Sequence, residues 1–219
     1  MNEKVSSVID KIKTKYASVD TILLFGSATS TDWTPASDID IFLIDPAFDD
    51  EREDIIVDNI AVEVQKDNLD NIKRDIENER GQLLNRNVST MIADAIVVSS
   101  QSLTEIQSLQ SLAKEVLNTT SIYTDEDIKM WQYSIKDYLS KAAKDLTHGD
   151  EIAFYLDAHY VLQNALEMSL ATHGAYLPQP KNLATVLQSI DPTFYQIFLD
   201  FTSATDSSNK LQILQQLAK

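Results

Sequence analysis

The sequence has no cysteine, only four glycines and five prolines among 219 residues, and 18 basic against 34 acidic side chains. Without cysteine there are no disulfides and no thiolate-held metal, and His148, His159 and His173 lack a close metal-ligand spacing, so zinc is not expected. Scarce glycine and proline exclude a collagen-like or long low-complexity tract, and the chain is expected to be folded throughout. The deficit of positive charge leaves a net charge of -16, which repels a phosphate backbone, so no long nucleic acid is expected as a partner. The same charge serves solubility. No apolar run approaches the roughly 20 residues of a membrane span, and the first residues, MNEKVSSVIDKIKTKY, are charged and helix-patterned where a signal peptide would be apolar. No membrane partner and a cytoplasmic location are therefore expected.

What is present divides the chain in two. Val5, Val8, Ile9 and Ile12 recur at helical spacing, so residues 2–16 read as an amphipathic helix. Residues 21–25 (TILLF) form an apolar run halted by Gly26, a loop rich in Ser, Thr and Asp follows to Ser37, and residues 38–44 (DIDIFLI) read as a second strand. The acidic segment 48–58 reads as a loop or short helix, 60–64 as a third strand, 68–84 as a helix, 95–98 as a fourth strand and 103–117 as a helix. After Ser121 the strand signal disappears. Thr124 and Asp127 make an approximate capping box, Gly149 and Asp150 separate two long helices, and Asp191 before Pro192 opens another. The fold class is thus mixed α/β (α+β), with a small mixed-sheet domain over 1–118 followed by an all-helical bundle domain over 119–219.

The strongest chemical signal is Gly26-Ser27, ten residues, then Asp38-Ile39-Asp40. Side chains of a strand alternate between faces, so Asp38 and Asp40 project together, away from Ile39, Ile41 and Leu43. Two carboxylates so placed repel unless a cation neutralises them, and hard oxygen donors suit magnesium. Gly26 permits a tight turn, and Ser27 offers an amide and a hydroxyl to a phosphate oxygen. Glu63 shares a strand face with Ala61 and Gln65, where a carboxylate needs either a cation or a specific salt bridge.

Together LLFGS (23–27), SDIDIFLI (37–44) and AVEVQ (61–65) resemble the nucleotidyltransferase superfamily of the DNA polymerase β-like kind. The helical half, with YLPQPKNL (176–183), is similar to the C-terminal bundle of small bacterial antibiotic nucleotidyltransferases of the aminoglycoside and lincosamide type. The resemblance implies transfer of a nucleoside monophosphate, AMP from ATP by default, to a hydroxyl of a small molecule such as an aminoglycoside-like antibiotic. It implies Asp38, Asp40 and Glu63 as the catalytic residues, with Mg2+ or Mn2+ held by Asp38 and Asp40 and Glu63 either completing the metal site or acting as general base, and a nucleoside triphosphate held at Gly26 and Ser27. A homodimer is compatible with it.

The loop after Gly26-Ser27 departs from many relatives in carrying no basic residue. Lys136 and Lys181 are therefore the cations assigned to cofactor binding, with Lys141, Lys144 and Arg86 behind them, and Trp33 is a stacking candidate for a base or substrate. Two other readings are weighed. Protein nucleotidylation of the toxin–antitoxin type is disfavoured by the fused helical half and the lack of an Arg-x4-6-His motif. A catalytically degenerate nucleotide-binding regulator is disfavoured by the intact carboxylates.

Overall fold

The computed structural model describes residues 2–30 and 33–218. Thr31 and Asp32, inside the loop read above, and the chain ends Met1 and Lys219 lie outside the described residues. The chain divides into two compact units. One comprises residues up to Arg80 together with Arg86–Thr119, the other Gly81–Asn85 together with residues from Thr120 onward.

The first unit is built on a five-stranded sheet. Helix α1 (Glu3–Lys15) starts at Asn2, whose side chain accepts from the Lys4 amide, and is followed by β1 (Thr21–Phe25), a 3₁₀ turn (Gly26–Thr29) and β2 (Ile39–Ile44). Then come β3 (Glu51–Val57), β4 (Ile60–Asp67), α2 (Leu69–Asn78), α3 (Asn87–Ala93), β5 (Ile96–Ser100) and α4 (Leu103–Leu117). The strand order is β3-β4-β2-β1-β5, with β2 and β4 parallel and the other neighbours antiparallel. Both faces are covered. Val5, Val8, Ile9 and Ile12 of α1 pack on Ile39, Ile41, Leu43, Val62 and Val64, whereas Ile72, Ile76, Ile92, Ile106 and Leu109 of α2, α3 and α4 pack on Leu23, Phe25, Phe42 and Ile44. Burial on both faces explains why β1 and β2 read as near-continuous apolar runs.

Strand β3 corrects the expectation of a loop or short helix over 48–58. Its inward residues Glu53, Ile55 and Val57 alternate with exposed Arg52, Asp54 and Ile56, and charge on an edge strand hides the apolar half of the pattern. The β3–β4 hairpin turns on Asp58 and Asn59, both at positive φ (53° and 63°), as a two-residue type I′ turn requires. The helix expected over 68–84 ends at Asn78. Gly81 (φ 75°) and residues up to Asn85 then belong to the second unit, before α3 resumes the first.

The second unit is helical: α5 (Asp125–His148), α6 (Glu151–Thr172), α7 (Pro180–Ile190), α8 (Pro192–Ser203) and α9 (Ser207–Leu214). Thr124 and Asp127 make a full capping box, Gly149 ends α5 at φ 73°, and Asp150 and Asp191 cap the helices that follow them. Phe154, Val161, Leu187, Phe194 and Leu214 lie in its core. Among the described residues no helix is long and apolar enough to cross a membrane.

Candidate active site

The carboxylates meet where β1 ends and β2 and β4 begin. Because β2 and β4 are parallel, Asp40 stands opposite Glu63, and the row continues from Phe25 of β1 to Asp54 of β3. Asp38 lies immediately before β2. Its main chain is tied to the core by Trp33, whose indole Nε1 donates to the Asp38 carbonyl at 3.1 Å. Trp33 itself is buried among the α1-side core residues, so its ring packs and positions the loop instead of stacking on a substrate.

One carboxylate oxygen from each of Asp38, Asp40 and Glu63 lies within 4.8 Å of the others. Asp40 is only partly exposed, and burial, followed by the charges of Asp38 and Glu63, pushes its carboxyl up to about 6. Such a cluster of hard oxygen donors, with like charges held together in a partly desolvated place, fits a divalent oxophilic cation. Gly26 closes the site from β1. Its φ is +68°, and a Cβ there would stand 2.0 Å from Asp40 Oδ2, so the turn passes against the carboxylate in a way only glycine allows. In the 3₁₀ turn that follows, the Ser30 amide donates to the Ser27 carbonyl at 3.1 Å. Among the described residues the Ser27 hydroxyl has no hydrogen-bond partner.

Glu63 accepts from Gln65 Nε2 at 2.8 Å and from Arg52 Nη2 at 3.0 Å. Arg52, Asp54 and Gln65 are neighbours of the site that sequence reading missed. The signal was present in the alternation of residues 51–57 and in the Asp58-Asn59 turn, but it required β3 to be read as a strand. Lys136 and Lys181 are exposed residues of the second unit, on α5 and α7. Lys141 pairs with Asp137 at 2.8 Å and lies over the Tyr138 ring. Arg86 is corrected: it is buried, and its Nη1 donates to the carbonyls of Val116 (2.9 Å) and Thr119 (2.8 Å), satisfying the C-terminus of α4.

A mixed sheet with a Gly-Ser turn and three convergent carboxylates at one end is compatible with the phosphoryl- or nucleotidyl-transfer class of site. Residues 5–107 match a family model described as nucleotidyltransferase domain. Among solved structures, a nucleotidyltransferase-like protein from Exiguobacterium sibiricum is similar at 13% identity and a TM-score of 0.53, over 97% of this chain and 73% of that one, a likeness of fold. No curated protein matches. Residues 5–107 thus carry a nucleotidyltransferase domain, and that domain supports a nucleotidyl-transferring activity of the 2.7.7 type.

Proposed function

We propose that this enzyme moves a nucleoside monophosphate, AMP from ATP by default, onto a hydroxyl of a small acceptor, with Asp38, Asp40 and Glu63 holding Mg2+ or Mn2+. The observation that carries the reading is the approach of the three carboxylates to within 4.8 Å at the Gly26 turn. A divalent ion bound there supplies Lewis acidity at the phosphates. The acceptor oxygen bonds to the α-phosphorus as the bond to pyrophosphate breaks, and Glu63 is assigned the hydroxyl proton. Ser27 and the turn amides hold a phosphate oxygen. The net charge of -16 supports a cationic acceptor, a hydroxylated amine of the aminoglycoside-like class.

The test is pyrophosphate release by purified protein with four nucleoside triphosphates against a panel of hydroxylated amines. One pair is expected to turn over with magnesium, and Asp40→Asn is expected to abolish that turnover. Full activity of Asp40→Asn would refute the metal assignment, and release dependent on a protein acceptor alone would replace the small-molecule reading.

A further inference from the structure

Arg52 raises a question that folding does not answer. It lies on the edge strand β3 and folds back across the sheet face, its Nε donating to Asp54 at 3.2 Å and its Nη2 to Glu63 at 3.0 Å. Its side chain is 55% exposed against 24% for Glu63, so the guanidinium reaches the carboxylates from the solvent side. An ion pair this exposed adds little to stability. Among the described residues, Arg52 is the one Lys or Arg within ion-pair distance of Asp38, Asp40 or Glu63. The guanidinium offers five donors, and among the described residues Nη1 has no partner, which leaves an edge open for a second acceptor.

The charge balance gives that edge a use. Asp38, Asp40, Glu63 and Asp54 crowd one end of the sheet, and residues 26–37 contain no Lys or Arg. A triphosphate brought there adds further negative charge. Arg52 lies among these carboxylates, bonded to Asp54 and Glu63, and an arginine is always charged in a protein. A planar, permanently charged fork suits phosphate oxygens. On an edge strand the long side chain can move with no further strand beside it.

We infer that Arg52 is a phosphate-binding arm: without ligand it neutralises Glu63, and it exchanges that partner for a nucleotide phosphate when a divalent ion takes the carboxylates. The inference rests on the reading under Proposed function. It gives Arg52 effects of opposite sign on two ligands. Against the metal alone Arg52 competes for Glu63, whereas toward the nucleotide it contributes a charge-assisted contact.

The experiment titrates Mn2+ alone, and then a non-hydrolysable nucleoside triphosphate analogue with Mg2+, into wild type, Arg52→Gln and Arg52→Lys, with a melting curve of each. Arg52→Gln is expected to bind Mn2+ more tightly, by up to about fivefold as an exposed ion pair allows. It should bind the analogue about tenfold more weakly or worse. Arg52→Lys should recover part of the analogue affinity, and all three should melt together. Unchanged affinity for both ligands, or weaker binding of both, overturns the exchange. A large drop in melting temperature for Arg52→Gln also overturns it, by making the residue structural. Wild type that binds neither ligand overturns the parent reading and this inference together, whereas binding by wild type with an unaltered Arg52→Gln sinks this inference alone.

Discussion

Gly26 carries two constraints at one position, a left-handed φ of +68° and a carboxylate where its side chain would be. Gly26→Ala must therefore both strain the backbone, at about 1–2 kcal/mol, and push Asp40 aside. Turnover is expected to fall by about 100-fold or more, since ångström displacements of reacting groups cost that much. Steady-state kinetics beside a melting curve checks this, and retained turnover would show that the close approach is dispensable. Glu63 answers to a different competition, between catalysis and a salt bridge. Its partner Arg52 is more than half exposed, so the pair adds little to stability, and Glu63→Gln is expected to melt like the wild type. The amide neither takes a proton nor offers the same charge to a cation, so turnover should drop by about 100-fold or more. A large melting shift with residual turnover per folded molecule would make Glu63 structural.

Among the elements, β3 ties the sheet edge to α1 through Glu53. Its carboxylate receives Lys15 Nζ at 2.7 Å, Lys66 Nζ at 2.7 Å and the Tyr16 hydroxyl at 2.9 Å. These bonds, that from Lys15 first, hold its carboxyl down to about 2 from the ordinary 4.5. A carboxyl depressed by folding stabilises the fold in full above about pH 4.5, and that contribution is lost as pH falls toward about 2. With a third of the side chain exposed, solvent screening limits its worth to about 1 kcal/mol. Glu53→Gln is expected to lower stability by that amount at neutral pH and to converge with the wild type below pH 2, as read by denaturant melts across pH. Parallel curves throughout would remove Glu53 from the acid response. The same strand shows why local pattern misleads at an edge: Arg52, Glu53 and Asp54 resemble a charged loop until β4 supplies the hydrogen bonds that make them extended.

At the scale of the whole molecule, the chain leaves its first unit once and returns. Residues 81–85 join the helical unit through the Ile122 amide, which donates to the Gly81 carbonyl at 2.7 Å, the Leu177 amide, which donates to the Leu83 carbonyl at 2.8 Å, and Leu83 against that unit's core. Leu83→Ala removes partly buried methyl groups there, at about 1–2 kcal/mol, below the full core cost. Faster amide exchange is expected at Leu177 and in α6, with β1 and β2 amides unchanged. Acceleration of β1 and β2 as well would place the strip with the sheet.

The sequence by itself determined what depends on near neighbours. The apolar runs of β1 and β2, the Gly26-Ser27 stop, the side-by-side placement of Asp38 and Asp40, and the caps at Thr124, Asp150 and Asp191 follow from alternation, backbone freedom and side-chain-to-amide bonds within a few residues. Only the tertiary structure decided what depends on partners far along the chain. Parallel pairing of β2 with β4 brings Glu63 beside Asp40, and β3 brings Arg52 onto Glu63. Arg86, a cation that composition alone would place at the surface, is buried because carbonyls about 30 residues away need its donors. Trp33 is inside because α1 and β2 leave room for its ring and Asp38 accepts its N–H. Burial and pairing are properties of what surrounds a residue, and no local pattern of residues encodes those surroundings.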